Sequence, residues 1–535
     1  MNSAASSARI TAMIATPLAV ETIPSIDPAT GQVKANFERT PLPVVPQLMA
    51  KARAAHAGWS QHSIADRCAL IGVLLKTILG ARDTLVDVVV RESGKPRVEA
   101  LFADVFVALD TALYFSKHGA HALRPEAVPH HSTAVKAKSG RIYFEPLGVV
   151  GVISSWNYPL AIPLSQIIAA VAVGNAVLCK TSDFTPACGA LIGRLFQDAG
   201  FPSDLVTILQ GGGDVAQALI EAHPDKIFFT GSVSTGKHVA EACARHLIPS
   251  VLELGGKDVM LVLRDADLNV ASSAAVWGSY TNCGQVCLSV ERLFVEEPVA
   301  EEFVRRCVEK TQKLCLGPCG DKNTDVGPLI RAPHVRRMSD LIADAVQHGA
   351  KVVCGGHARP DLGPHFFEPT ILTGVDASMK VFREETFGPV MAIQVVSSAE
   401  EATRLANDSE FALSASVWTS DTARGIAIAR QLRAGTVLVN DLLSGFAIAE
   451  APHGGCGLSG WGRTHGKAGL QEMVHVKYVD VDRLPKTEKP WWYRYGPELE
   501  HAADAFLGFE FSGSLLARVR NARLAMKTFF RDHGF

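Results

Sequence analysis

Short apolar segments rich in β-branched residues alternate with segments of helical period from residue 147 to residue 439. Residues 147–153, for example, form a continuous apolar run, and residues 163–173 then follow a helical pattern. Repeated units of this kind predict parallel sheets that are covered by crossover helices. Ligands bind such sheets beyond the carboxyl ends of the strands, so residues that directly follow a strand are the first candidates for a functional site.

The alternation falls into two series, and it predicts an α/β fold with two doubly wound β-α domains. The first series contains strand candidates at 147–153, 176–179, 206–209 and 226–229. The second contains strand candidates at 259–263, 292–295, 351–354, 392–396, 415–418 and 436–439. Ahead of both, helical patterns cover 46–60, 65–79, 82–93 and 97–115. A chain of 535 residues is long enough to form several domains.

The composition excludes some classes of partner. A formal net charge of −2 gives no reason to expect a nucleic acid. The 11 cysteines are odd in number and scattered, which is typical of a reduced, cytoplasmic protein, and they show no zinc-site spacing, so we predict no metal site. Residues 146–179 contain no charged side chain, but polar residues interrupt them and favour a buried strand and helix over a membrane span.

Two short motifs carry chemistry that neither would indicate alone. Cys287 closes the sequence Asn-Cys-Gly-Gln-Val-Cys, and Glu253 opens the sequence Glu-Leu-Gly-Gly-Lys. A thiolate is a strong nucleophile whose thioester can still be hydrolysed, and a separate carboxylate can activate the water that does so. A lone cysteine is more often a small buried hydrophobe, and a lone glutamate is more often a solvated charge. The interpretation of Cys287 as nucleophile and Glu253 as base therefore depends on agreement with other segments.

Further motifs follow in order at 154–159, 180–186, 228–236, 384–390, 440 and 452–462. Together with the two motifs above, they resemble the aldehyde dehydrogenase superfamily over about residues 20–483, including bacterial, NAD(P)-dependent, succinate-semialdehyde dehydrogenase-like members. The resemblance implies a Rossmann-like dinucleotide-binding domain (21–127 and 148–252), a catalytic domain (253–469) and a β-hairpin oligomerisation arm (128–147 and 470–483). It also implies a homodimer or homotetramer. Residues 1–20 are predicted to be disordered, and residues 484–535 to form a C-terminal helical extension beyond the family core.

The resemblance implies which residues bind NAD, with NADP as the alternative cofactor. The expected contacts are Trp156, Lys180, Ser182, Asp183, Gly231, Ser232, Gly255, Glu385 and Phe387. Ser232 would contact the pyrophosphate where a helix begins after a strand, because free N–H groups and a positive dipole end meet there. A carboxylate at Asp183 would repel a 2′-phosphate and so favour NAD, although the family usually has the longer Glu at this position.

The same resemblance implies a reaction. Cys287 would attack an aldehyde, and Asn157 with the backbone N–H of Cys287 would stabilise the oxyanion. Hydride transfer to the nicotinamide would leave a thioester, which water activated by Glu253 would hydrolyse to the carboxylic acid. Two alternatives are a CoA-acylating oxidation and a non-catalytic scaffold on the same fold. Glu253 argues against the first, and the joint presence of Cys287, Glu253 and Asn157 argues against the second.

The substrate is an aldehyde whose identity the motifs leave open. The residues expected at the entry are mostly apolar and suit an aliphatic or aromatic aldehyde: Tyr158, Ile162, Ser165, Val286, Leu288 and the loop 443–447. Succinate semialdehyde would need a cation for its far carboxylate, and none can be placed. His453 stands where the family usually has an apolar aromatic residue. It is interpreted as structural, with a proton carrier as the alternative.

The C-terminal extension has two interpretations. Its later part mixes apolar residues with Arg518, Arg520, Arg523 and Lys527, as in a basic amphipathic helix that lies on a membrane surface. Such a peripheral contact would suit a lipid-derived aldehyde and would make a cytoplasmic protein membrane-associated. The other interpretation is that the extension packs on its own or a neighbouring subunit.

Overall fold

The structure, a computed structural model, describes residues 21–489, 491–493 and 495–532. The segment 1–20, predicted to be disordered, lies outside the described residues. The chain forms two compact units, Met1–Ala122 with Pro146–Val474 and Leu123–Glu145 with His475–Phe535. The predicted α/β class, with two β-α series and a C-terminal helical extension, is confirmed. The finer division into five segments stays a prediction.

The first unit contains a six-stranded sheet that holds the first β-α series. Its strands, in spatial order, are Gly460–Trp461, Ser250–Glu253, Lys226–Thr230, Val149–Ile153, Ala176–Lys180 and Val206–Leu209. The last five run parallel, and Gly460–Trp461 pairs antiparallel with Ser250–Glu253. All five residues of Val149–Ile153 are buried, as expected for a strand in the middle of a parallel sheet.

A seven-stranded sheet in the same unit holds the second series. Its strands, in spatial order, are Lys351–Cys354, Thr370–Thr373, Val390–Val396, Val290–Glu296, Asp258–Val262, Ser414–Trp418 and Thr436–Val439. Lys351–Cys354 is antiparallel to its neighbour, and the other pairs are parallel. Two short antiparallel pairs complete the strands of this unit: Thr22–Ile26 with Val33–Glu38, and Phe411–Ala412 with Cys456–Gly457.

The helices of the first unit connect these strands or cover the sheets. The longer ones are Val45–Trp59, Ile64–Gly80, Arg82–Ser93, Val107–Ala122, Ala161–Val173, Pro186–Asp198, Gly213–Glu221, Val233–Arg245, Leu268–Tyr280, Glu297–Thr311, Ala332–Gln347, Ala399–Asn407 and Thr422–Ala429. The shorter ones are Arg97–Glu99, Lys380–Arg383 and Gly466–Gln471. Every residue of Ala161–Val173 is buried, which explains why this helix is apolar on all faces.

One predicted helix, 97–115, is interrupted. The structure has a helical turn at Arg97–Glu99, a π-helical stretch at Ala100–Phe106 and then Val107–Ala122. The π-helical stretch carries Asp104, whose buried carboxylate binds the side chain of Lys95 and the backbone at the start of Ala161–Val173. A π-helical turn is a common way to place a functional or buried polar group inside a helix.

The second unit contains the arm and the extension. A three-stranded sheet has the order Val474–Asp482, Lys138–Pro146 and Glu126–Val128. The helices Pro497–Phe511 and Leu515–Asp532 follow it, and they approach closely, because a Cβ at Gly508 would overlap the side chain of Asn521. Among the described residues, no helix combines the length and the apolar character needed to cross a bilayer.

Candidate active site

Glu253 and Cys287 lie close to each other in the first unit. Glu253 ends the strand Ser250–Glu253 and is 6% exposed, and Cys287 is half-buried. Burial raises the pKa of the Cys287 thiol well above its usual range, and the negative charges of Asp258, Glu253 and Glu385 raise it further. Because charge effects of this kind require proximity, the predicted nucleophile and the predicted base are brought together.

The turn before Cys287 has an unusual backbone. Asn282, Cys283 and Gly284 have φ angles of 51°, 56° and 70°, all in the left-handed region. A Cβ at Gly284 would overlap the backbone oxygen of Gly388, so only glycine fits there. Cys283 is 1% exposed and belongs to the hydrophobic core, whereas Cys287 is half-buried and packs against the cluster of Val286, Leu288 and Leu413. The geometry therefore favours Cys287 over Cys283 as the nucleophile.

Asn157 lies beside this turn and is 3% exposed. Its Nδ2 donates a 3.0 Å hydrogen bond to the backbone oxygen of Gln285, and its Oδ1 accepts a 2.8 Å bond from Ser155 Oγ. An amide nitrogen has two N–H donors, so one of them stays available for a ligand. An amide fixed on both sides can stabilise a developing negative charge without reorganising.

A buried ion pair holds the backbone of Asn157 in place, and the sequence motifs did not predict it. Lys95 Nζ lies 2.7 Å from Asp104 Oδ2, donates a 2.7 Å hydrogen bond to the backbone oxygen of Asn157 and sits 4.0 Å above the ring of Tyr158. Asp104 Oδ1 accepts the backbone N–H groups of Leu160 and Ala161. A lysine in a Gly-Lys-Pro breaker carries no periodic signal that would have marked it as buried.

The environment of Glu253 suits a base that works near neutral pH. Burial raises its pKa to about 8, although the positive charge of Arg463 opposes this shift. Its Oε1 accepts no hydrogen bond from any described residue, and its Oε2 lies 3.5 Å from Nε2 of His453. A carboxylate with this pKa and a free oxygen can take a proton from a bound water.

The residues predicted to bind the adenine end of a cofactor follow the two strands of the six-stranded sheet that flank Val149–Ile153. Lys180 ends Ala176–Lys180 and is 7% exposed, and Ser182 and Asp183 come next. Gly231 follows Lys226–Thr230, and Ser232 caps the helix Val233–Arg245 by accepting a 3.3 Å hydrogen bond from the Thr235 N–H. The helix begins at Val233, so its N-terminal N–H groups lie close to the end of the strand at Thr230.

The residues predicted to bind the nicotinamide end lie next to Cys287. Glu385 Oε1 accepts a 3.0 Å hydrogen bond from the backbone N–H of Gly256, and its carboxylate fills the space where a Cβ at Gly255 would lie. Phe387 has a φ of 53° and meets Trp156 edge to face, with ring centroids 5.6 Å apart. A carboxylate can accept hydrogen bonds from the sugar hydroxyl groups of a dinucleotide, and aromatic side chains can pack beside its nicotinamide ring. A helix N-terminus can bind its phosphates.

Comparisons with known proteins agree with this site. The aldehyde dehydrogenase family matches residues 16–479. A Mycolicibacterium smegmatis protein provisionally named succinate-semialdehyde dehydrogenase (NADP+) is 40% identical over 462 residues, which cover 85% of this chain and 88% of that protein. The 4,4'-diapolycopene aldehyde oxidase of a Methylomonas species is 37% identical over 511 residues, which cover 95% of each chain.

A solved structure shows the same fold. The betaine aldehyde dehydrogenase of Staphylococcus aureus, crystallised in complex with NAD+, superposes with a TM-score of 0.83 at 30% identity, covering 89% of this chain and 94% of that one. The chain therefore belongs to the aldehyde dehydrogenase family. It is an NAD(P)-dependent dehydrogenase that oxidises an aldehyde, and the resemblance stated from the motifs is confirmed.

Proposed function

We propose that this chain oxidises its aldehyde to the carboxylic acid through a covalent intermediate on Cys287. The observation that carries the proposal is the proximity of Cys287 and Glu253. Sγ of Cys287 adds to the aldehyde carbon, and Asn157 Nδ2 with the Cys287 backbone N–H receives the oxyanion. NAD(P), when bound, supplies the hydride acceptor. Glu253 then takes a proton from water, which releases the acid and frees the sulfur.

The raised pKa of Cys287 means that the resting side chain is a thiol, which must lose its proton as it attacks. Cys287 is half-buried, so this proton can leave to solvent water. In this proposal Glu253 therefore acts as a base only in the hydrolytic step.

Formation of NADH, followed at 340 nm with a panel of aldehydes, tests the proposal. We expect NADH without added CoA and a free carboxylic acid as product. A requirement for CoA would favour the acylating reaction, and no NADH with any aldehyde, in reduced protein that binds NAD, would favour the scaffold alternative. Running the panel with NAD and with NADP measures the cofactor preference that we assign to Asp183.

The substrate we propose has a long apolar tail. Val286, Leu288 and Leu413 form a buried cluster against which Tyr158, Cys287, Leu443 and Phe446 pack, and none of these carries a fixed charge. An apolar wall binds each additional CH₂ with about 0.8 kcal/mol, or about fourfold in affinity. It offers nothing to the far carboxylate of succinate semialdehyde. We therefore expect kcat/KM to rise with aldehyde chain length and to exceed that for succinate semialdehyde.

The Methylomonas relative supports this assignment. Its name describes an enzyme acting on the aldehyde of diapolycopene. A match to 95% of a 535-residue chain must include part of the extension 484–535, whereas the family match ends at residue 479. The feature that this chain adds to the family core is therefore shared with a relative named for an apolar aldehyde.

We also propose that the extension makes a peripheral membrane contact. The helix Leu515–Asp532 exposes Leu515 and Leu516 by 76% and 85%, and the exposed side chains Arg520, Arg523 and Lys527 lie beside them. Apolar residues bordered by cations bind the headgroup region of anionic bilayers. Such a contact would hold a cytoplasmic, homo-oligomeric enzyme where an apolar aldehyde is concentrated.

A further inference from the structure

Two buried histidines lie behind Glu253. His453 and His465 are 3% and 6% exposed, their rings are 6.0 Å apart, and both contact the ring of Phe446 edge to face. The backbone brings them together, because His453 and Thr464 exchange two 2.8 Å hydrogen bonds. Of the two, His453 faces the base, since its Nε2 lies 3.5 Å from Glu253 Oε2.

We propose that His453 is a positioning residue for the hydrolytic step, with its Nε2–H donated to Glu253 Oε2 so that the carboxylate is held ionised and aimed at water. This inference rests on the proposed function and names a further residue for it. Only Oε2 would be engaged, so Oε1 stays available to accept the proton of the attacking water. The 3.5 Å separation is longer than an ordinary hydrogen bond, and catalytic contacts often tighten when ligands bind.

The protonation of His453 agrees with a donor that is neutral. Burial lowers its pKa to about 3, and the nearby His465 and Arg463 lower it too. A neutral imidazole carries one N–H. Nδ1 of His453 has no hydrogen-bond partner among the described residues, whereas Nε2 faces a carboxylate, so the proton on Nε2 is the one that makes a bond.

The surroundings of the pair are tight and contain few other charges. A Cβ at Gly454 would lie 2.8 Å from Glu253 Oε1, so the segment that carries His453 approaches the carboxylate closely. The positive charge of Arg463 acts on both Glu253 and His453, Cys287 is close enough to Glu253 to feel its charge, and His465 lies next to His453. His465 Nδ1 is engaged by Thr464 Oγ1 at 3.0 Å and burial lowers its pKa to about 4, so it too is neutral.

The direction in which the pKa of Glu253 changes when His453 is replaced follows from the loss of a hydrogen-bond donor. A hydrogen bond to the ionised form lowers the pKa of a carboxyl group, so its loss raises the pKa of Glu253. Hydrolysis then needs a more alkaline solution. A hydrogen bond to a charged group commonly shifts a pKa by about one unit, which predicts about tenfold slower hydrolysis at neutral pH.

The test compares His453→Phe, which removes the donor but keeps a ring, with His453→Gln, which keeps a side-chain N–H. The burst of NADH reports aldehyde addition and hydride transfer, and the steady rate that follows reports hydrolysis. For His453→Phe we expect an unchanged burst rate, a slower steady rate and a pH midpoint about one unit higher. His453→Gln should restore the midpoint. His465→Asn, the matched control inside the same cluster, should leave the midpoint in place.

The outcomes separate this inference from the proposed function. A wild-type enzyme that forms no NADH would overturn both. An active wild type whose His453→Phe variant keeps the same pH midpoint, or whose His453→Gln variant shifts as far as His453→Phe, would overturn the role of His453 alone. If His453→Phe does not fold, as judged by near-UV circular dichroism, His453→Met removes the same donor and is measured in its place.

Discussion

Lys95 Nζ donates a 2.7 Å hydrogen bond to the backbone oxygen of Asn157, and this bond ties the amide beside Cys287 to a charge pair that is fully buried. The partner of Lys95, Asp104, holds the first N–H groups of the helix that follows Asn157. One ion pair therefore fixes both the loop that carries the amide and the helix behind it.

Lys95→Met should lower the free energy of unfolding by about 3–5 kcal/mol, because it leaves the Asp104 carboxylate buried without its partner. Urea unfolding followed by fluorescence measures this change. Lys76→Met, which alters an exposed lysine on the helix Ile64–Gly80, is the control and should stay within about 0.5 kcal/mol. A Lys95→Met protein as stable as the control would contradict the structural role of the pair.

Cys287→Ala should abolish turnover while NAD still binds, since the thiol is the proposed attacking group and is not itself among the proposed cofactor contacts. Steady-state NADH formation and quenching of intrinsic fluorescence by NAD measure the two properties. Cys283→Ala is the matched comparison and should keep turnover, because that thiol is buried in the core. Appreciable oxidation by Cys287→Ala would reassign the nucleophile.

Glu253→Gln should give a single burst of NADH without steady turnover, because the thioester forms but no base activates water. In the wild type, hydrolysis requires the ionised carboxylate, so its rate should rise as the pH increases through about 8 and fall below it. Glu99→Gln is a suitable control, since Glu99 is another carboxyl group whose pKa is raised by desolvation, in its case to about 7. It should retain the rise near pH 8. Steady turnover by Glu253→Gln would remove Glu253 from the mechanism.

Asp183→Ser should improve the use of NADP relative to NAD by about tenfold, because it removes a negative charge from the place expected to meet a 2′-phosphate. The ratio of kcat/KM for the two cofactors measures this preference. Asp198→Ser, at the end of the helix Pro186–Asp198, changes the net charge equally and should leave the ratio unaltered. An unchanged ratio in Asp183→Ser would show that Asp183 does not reach the cofactor.

Replacing Arg520, Arg523 and Lys527 by glutamine should weaken sedimentation with vesicles that contain phosphatidylserine, since each cation near an anionic surface contributes about 1 kcal/mol. The control replaces three exposed lysines of the first unit, Lys51, Lys76 and Lys117, and should bind like the wild type. Equal binding by both triple variants would argue that the extension packs against protein instead.

Helices and strands could be predicted from the sequence where the pattern of apolar residues was clear, and they were missed where that pattern was absent. The helix at 82–93 and the strand at 206–209 have the predicted bounds. The strands Ser250–Glu253 and Gly460–Trp461 were not predicted, because the first contains only two consecutive apolar residues and the second is only two residues long. The π-helical interruption at Ala100–Phe106 was also missed, since its cause is a tertiary contact of Asp104.

The residues of the candidate site likewise divide into those that motifs predicted and those that only the fold revealed. Motif order was enough to predict that Cys287 and Glu253 lie close together, as they do in the structure. Lys95 carries no comparable signal, because a lysine is buried only if a distant carboxylate accepts it. His453 was noticed as a departure from the family pattern, but only the fold shows that its Nε2 faces Glu253.

The strand Gly460–Trp461 has a consequence for how the protein is made. It pairs with Ser250–Glu253 in the register Gly460 to Glu253, and so closes one side of the six-stranded sheet. During synthesis the strand that carries Glu253 emerges long before this partner. Until then it presents unpaired backbone groups to other nascent chains, and such edges invite aggregation. The ribosome must therefore synthesise almost the whole first unit before the strand that ends at Glu253 can pair with Gly460–Trp461.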